Sequence, residues 1–281
     1  MKAKSPYLVI PAVVFMGVTL GLVVINTLTV SFRAMRGFII LPGWSLKNYI
    51  SIFSNWDFFR SVLLTLKTTF IVLAIVLIIS YPVAYFLARI VKSERLRQIL
   101  LMLCIIPFWT SYITRMITWI PILGDAGLVN HILLMLGLIS KPLGFLLFSQ
   151  PAMIFVMVFL YSVFCVGPIF FSMSQIDEEV IDSAHDLGAG SLKTFLHVIV
   201  PLSVPGVATG ALFVIVMVMG EYATASIIGG NKSPLLGNSI MANSGALQWT
   251  TASAFSVLLI ALTLGLVVML FRIIDIRKQL R

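Results

Sequence analysis

Charge is scarce in this chain of 281 residues: only ten carboxylates, and 10% charged residues in all, against about a quarter in an ordinary soluble domain. Together with 60% hydrophobic residues and a mean hydropathy of +1.09, that shortage excludes a soluble globular domain and describes an integral membrane protein. Cysteine is nearly absent. Cys104 and Cys165 fall inside apolar runs with neither disulfide nor zinc-site spacing, and read as small buried hydrophobes. The three histidines, His131, His185 and His197, are too scattered to share a metal, so no metal site is expected. No glycine precedes a lysine anywhere, so the Gly-Lys pair of a phosphate-binding loop is missing and the chain has no ATP-hydrolysing motif of that kind. There is no internal repeat, which speaks against a secondary transporter built from matching halves, and no nucleophile with its base, which speaks against a membrane enzyme. The net charge of +9 comes without a basic patch interleaved with aromatics, so nucleic acid is not an expected partner.

Six apolar runs are long enough to cross a bilayer, at about 7–30, 61–88, 98–120, 150–172, 202–228 and 251–274. The first exceeds the apolar core of a cleaved signal peptide and lacks an A-x-A site, so a retained helix is expected. Trp44 and Trp56 in the mixed segment 31–60 suit an outer membrane interface, and the segment 121–149, set off by Pro121, Gly124 and Pro142, reads as an outer-surface or re-entrant helix. With the N-terminus inside, the inner face holds eleven basic residues (Lys2, Lys4, Arg89, Lys92, Arg95, Arg97, Lys193, Arg272, Arg277, Lys278, Arg281) and the outer face six (Arg33, Arg36, Lys47, Arg60, Lys141, Lys232). That excess predicts cytoplasmic termini. The chain reads as one domain, 1–281, all-α, with six transmembrane helices in a lipid bilayer.

Between the fourth and fifth runs lies a polar island, 176–201, IDEEVIDSAHDLGAGSLKTFLHVIVP. Five of the ten carboxylates (Asp177, Glu178, Glu179, Asp182, Asp186) crowd into ten residues here. Ile176, Val180, Ala184 and Leu187 recur at helical spacing opposite the acids. Asp177 is expected to cap a first helix, Gly188 to stop it in the left-handed conformation, and Ser191 to cap a second that ends at Pro201. A short helical hairpin on the cytoplasmic side is therefore predicted.

Asp182, Ser183, Ala184, then Gly188, Val198 and Pro201 resemble the E-A-A, three residues, G, nine residues, I-x-L-P loop of bacterial ABC importer permeases, with Asp182, Ser183, Val198 and Val200 departing from its commonest letters. The words PFWTSYITR (107–115), GLVN (127–130), AHDLGAGSLKTFLHVIVPLSVPG (184–206), GEY (220–222) and LLGN (235–238) are similar to the spermidine/putrescine-type branch, over roughly residues 60–270. The resemblance implies the type I ABC importer transmembrane fold in a bacterial inner membrane, with the hairpin as a coupling helix. It implies an ATPase dimer docked at the cytoplasmic face, using ATP and Mg that this chain does not itself bind, a second permease subunit (a sister chain or a second copy) and an external solute-binding protein. Asp182, Ser183, Ala184, Asp186, Gly188, Ala189 and Pro201 then form the ATPase-coupling set: small side chains for close approach, carboxylates as acceptors. A polyamine is the implied solute, and another small organic solute, amino-acid-like or opine-like, the alternative.

Glu221 is the one carboxylate well inside an apolar run, about 30 Å above Pro201 at ~1.5 Å per residue, with Arg115 and Lys67 at similar depth. Two readings stand: an ion pair closing an outer gate, or a carboxylate that meets a cationic solute between the aromatic walls of Tyr222, Tyr112, Trp109 and Trp119.

Overall fold

The structure, a computed structural model, describes residues 10–274. Tyr7, where the first span was expected to begin, and the orientation residues Lys2, Lys4, Arg277, Lys278 and Arg281 lie outside the described residues. In chain order the elements are α1 (Ile10–Ser31), β1 (Met35–Arg36), β2 (Ile39–Ile40), α2 (Lys47–Phe53), α3 (Trp56–Tyr85), α4 (Glu94–Ile105), α5 (Tyr112–Ile117), α6 (Ile120–Leu123) and α7 (Leu128–Met135). Then come α8 (Gln150–Ser174), α9 (Glu178–Asp186), α10 (Ser191–Thr194), α11 (Val200–Met219), α12 (Ala223–Ile227), α13 (Leu236–Gly245) and α14 (Trp249–Ile273). Among the described residues strand is confined to the β1–β2 hairpin, Met35 opposite Ile40 and Arg36 opposite Ile39, turned at Gly37 with φ 62°. Among the described residues six helical stretches are long and apolar enough to cross a membrane: Val13–Ser31, Trp56–Ile90, Tyr112–Met135, Gln150–Ser174, Ser191–Met219 and Trp249–Ile273.

Two of these differ from the sequence expectation. The third run does not form one helix over 98–120. Pro107 cannot donate to the ladder, so α4 gives way to a 3-10 turn at Ile106–Trp109, and helix resumes only at Tyr112. The sufficiently long apolar stretch is then Tyr112–Met135, which takes in residues expected to lie outside the membrane. The fifth is continuous through Pro201, which does not end the hairpin's second arm. Lacking an N–H, Pro201 leaves the His197 carbonyl without its usual partner, and the helix widens into a π turn, Phe195–Ile199, closed by Val200 N–H to Phe195 O.

The chain forms two compact units. Among the described residues the first holds 10–60 and 239–261. Buried Asn48 organises it: its Nδ2 donates to Ser31 O (2.9 Å) and Arg33 O (2.8 Å), and its Oδ1 accepts from Thr250 Oγ1 (3.4 Å). Phe32 packs against the rings of Trp44 and Tyr49.

Among the described residues the second unit holds 61–238 and 262–274. Its centre is the pair α8 and α11, whose inner faces bury Met153, Met157, Leu160, Ile169 and Met173 with Val214 and Val218. Lipid is as apolar as these side chains, so the pair is held by close fit and not by hydrophobic transfer. Gly206 and Gly210 permit that fit: a Cβ on Gly206 would lie 2.5 Å from Pro168 O, and one on Gly210 2.7 Å from Cys165 Sγ.

Candidate functional site

At the end of α8 the polar hairpin folds as two short helices. Asp177 takes the N-cap position of α9 but its side chain makes no capping bond, and Gly190, not Ser191, is the N-cap of α10. The stop between them is a Schellman turn: Gly188, at φ 84°, donates to His185 O (2.8 Å), and Ala189 N–H donates to Ala184 O (3.0 Å). Asp182, Ser183, Asp186 and Gly188 are exposed, Ala184, Ala189 and Pro201 half-buried. The expected apolar stripe does not pack inward along its length. Ile176 is buried at 8% exposure, whereas Leu187 stands 89% exposed at the tip.

The second site is a cavity of about 430 Å³ lined by Tyr112, Arg115, Leu160, Tyr161, Phe164, Met217 and residues 220–223. Its floor is a helix break. α11 stops at Met219, the chain turns through Gly220, and α12 restarts at Ala223, so Glu221 lies between helices and not inside one. The break gives the carboxylate its local donor: Oε1 accepts from Thr224 N–H at 2.9 Å. Oε2 accepts from the hydroxyls of Tyr112 and Tyr161. With its one proton spent on the carboxylate, the Tyr112 oxygen accepts from Thr224 Oγ1 at 2.7 Å. Glu221 is 5% exposed, and three donors stand in for the water it would otherwise need.

A second layer fixes the break. Asn238 Nδ2 donates to Tyr222 O (3.1 Å) and Ser226 Oγ (2.7 Å), its Oδ1 accepts from Leu235 N–H, and a Cβ on Gly237 would lie 2.7 Å from Glu221 O. The GEY and LLGN words thus form one object in space. Asn130 of GLVN serves elsewhere, holding Gly124 O and Leu143 N–H of the preceding and following loops.

Of the residues singled out in the sequence, Tyr112, Arg115, Glu221 and Tyr222 meet in the cavity. Trp109 does not: its side chain is 90% exposed. Trp119 packs edge-on against Phe155 and Phe159, and Lys67 lies on an exposed face of α3. The sequence reading missed Tyr161, Thr224 and Phe164. A tyrosine inside the apolar run 150–172 was the only available signal for the first.

Because a hydrogen bond to a charged acceptor is worth about 1.5–3 kcal/mol and a neutral one about 1, Tyr161→Phe should lower the detergent melting temperature more than Tyr81→Phe, which loses only a bond to Ser203 Oγ. Equal shifts in a thermal-unfolding assay would contradict the stronger hold of Tyr161 on the Glu221 carboxylate.

Comparison with known proteins adds the family. The model of the binding-protein-dependent transport system inner membrane component matches residues 80–277. The spermidine/putrescine transport system permease protein PotB of Escherichia coli is 32% identical over 229 residues, covering 81% of this chain and 82% of the relative. PotB of Haemophilus influenzae is 32% identical over 248 residues, covering 87% of this chain and 85% of the relative. In fold, the chain is similar to a bacterial ABC transporter involved in the import of the acidic polysaccharide alginate, with a TM-score of 0.74 at 16% identity over 95% of this chain and 93% of that one. Six apolar helices, a helical polar hairpin after the fourth and a family match across most of the chain lead to one conclusion: this protein belongs to the binding-protein-dependent transport system inner membrane components, and is a membrane-spanning permease subunit of a bacterial ABC importer, a transport component and not an enzyme.

Proposed function

We propose that this permease passes small linear polyamines, of the spermidine or putrescine class, through a path that includes the Glu221 cavity. The observation that carries the reading is Glu221 itself: a buried carboxylate in an apolar unit, held by two phenols, beside the ring of Tyr222. Such a group attracts ammonium, and the surrounding rings add cation–π attraction without demanding a tight site. Tyr112 and Tyr222 are the aromatic contacts in this reading, with Glu221 as the transient counter-ion. The names of the PotB relatives agree with it.

A zwitterionic, amino-acid-like or opine-like solute is the second reading, favoured by one observation: Arg115 lines the same cavity as Glu221. Uptake of radiolabelled spermidine, putrescine and a zwitterionic amino acid into proteoliposomes holding the whole transporter separates the two. Spermidine or putrescine accumulation that Glu221→Gln reduces by about tenfold supports the first, taking an ammonium–carboxylate hydrogen bond at about 1.5 kcal/mol. Accumulation of the amino acid alone defeats it.

In the same proposal 1–281 acts as one permease domain with both termini and the hairpin in the cytoplasm. The hairpin docks in a cleft of an ATPase subunit, with Leu187 as the apolar anchor, Ser183, Ala184, Gly188 and Ala189 as the close-approach surface, Asp182 and Asp186 as acceptors and Pro201 at the arm's entry to the membrane. Burying a side chain as large and exposed as Leu187 would contribute about 1.5–3 kcal/mol to that docking. A second permease subunit and a periplasmic solute-binding protein complete the assembly. The alginate transporter, related to this chain in fold, has been seen in complex with its alginate pentasaccharide-bound periplasmic protein.

A further inference from the structure

We propose that Arg89 is the joint through which displacement of the hairpin enters α3, and hence a positioning residue for the transport cycle. The inference rests on the hairpin being the ATPase-docking element. Arg89 follows α3 in the π turn Phe86–Ile90, and its side chain is only 8% exposed although it carries a full charge at the end of a membrane span. Its guanidinium holds three oxygens on the hairpin's root: Nη2 donates to Met173 O (2.6 Å) and Ile176 O (2.7 Å), and Nη1 to Glu178 Oε1 (2.7 Å).

One of those oxygens, Met173 O, belongs to the last turn of α8, whose C-terminal end favours a cation, and the second, Ile176 O, to the residue that follows the helix's C-cap Gln175. The third belongs to the first residue of α9. One planar fork therefore spans the junction between α8 and α9, which a lysine with a single ammonium cannot reproduce.

The other arm meets the same face of α3. Tyr81, Tyr85 and Arg89 are spaced i, i+4, i+8 and so share one stripe. Tyr81 hydrogen-bonds Ser203 Oγ on α11 (2.9 Å), and the rings of Tyr81 and Tyr85 meet Phe195 edge-on in the second arm's π turn. Both arms are thus tied to one helix end. The tie on the α10 side is made by a hydroxyl pair and ring edges, whereas the one on the α9 side carries the charge of Arg89.

The test uses the assembled transporter with ATPase, partner permease and binding protein, in a Cys104→Ala, Cys165→Ala background with Ile113→Cys as a cavity reporter. The maleimide labelling rate of that cysteine is measured with and without ATP plus vanadate, beside ATP hydrolysis and ATPase copurification. Arg89→Gln is expected to keep the ATPase bound and hydrolysis within about twofold, while the nucleotide-dependent change in labelling shrinks about tenfold. Arg89→Lys should lose about threefold by the same measure. Glu178→Gln should change it by less than about twofold, because that carboxylate is 76% exposed and screened. A labelling response unchanged in Arg89→Gln overturns the proposal. If that variant does not assemble, an unchanged response in Arg89→Lys overturns it instead. Gly188→Asp separates the two levels: ATPase still bound to it removes the docking reading, whereas loss of the ATPase there with a normal response in Arg89→Gln removes only the role of Arg89.

Discussion

Gly188→Asp is expected to release the ATPase from the purified complex while the permease stays folded in the membrane. Gly188 is at φ 84°, and a Cβ built there meets nothing within 4 Å. Within this chain the only cost of a side chain is therefore conformational, about 1–2 kcal/mol for a residue in the left-handed region, and aspartate is among the residues that tolerate it best. A turn stabilised by two Schellman bonds and exposed on its outer side absorbs that much. The new carboxylate then stands beside Leu187 on the surface proposed to enter the ATPase cleft, where it is desolvated on docking. Gly188→Ala carries the same backbone cost without the charge, so it should retain most of the copurifying ATPase. Asp182→Arg, which reverses a charge on the exposed acidic side of α9, should behave as Gly188→Asp does. Undiminished ATPase in pull-downs of Gly188→Asp and Asp182→Arg would show that this hairpin is not where the ATPase holds on.

The opposite outcome is expected at Gly206, where a methyl group should cost the fold itself. Its Cβ would lie 2.5 Å from Pro168 O, 2.5 Å from Ser172 Cβ and 3.0 Å from Ile169 Cα, so α8 and α11 must part along their length. Two of those three atoms are backbone, and Pro168 and Ile169 cannot swing away as the tip of a long side chain would. Overpacking of this kind costs about 1–3 kcal/mol, and in lipid no gain in apolar burial offsets it. Gly206→Ala should therefore lower the melting temperature and the yield of monodisperse protein in detergent. Gly265→Ala on α14, where a Cβ meets nothing within 4 Å, should change neither. At Gly210 the nearest atom is Cys165 Sγ, 2.7 Å away, so Cys165→Ala should partly restore Gly210→Ala, a coupling that independent sites would not show. Identical melting of Gly206→Ala and Gly265→Ala would contradict the close approach of α8 and α11.

What the sequence could determine alone is what depends on neighbours a few residues apart. Apolar length specifies six crossings, because a bilayer needs about 20 residues of helix, and a run of acids ending at Gly188 specifies a helix and its stop, because both are local backbone matters. The chain's place among transport subunits came from the resemblance of the hairpin and its neighbouring words to ABC importer permeases, which the family match bears out. Even local signals misled where they competed: Pro201 looked like a terminus, but the chain lengthened one turn into a π bulge and kept the helix going.

Only the tertiary structure decided which polar groups meet. Glu221 takes donors from Tyr112 and Tyr161, 109 and 60 residues away, while Trp109, three residues before Tyr112, faces outward. Arg89 finds its carbonyls 84 and 87 residues on. In a soluble helix an apolar stripe would reveal the inward face, but a membrane helix is apolar toward lipid and protein alike, so periodicity is silent on which side packs. Small residues and lone polar side chains decide that facing, and their partners come from distant turns of other helices, where no spacing rule reaches.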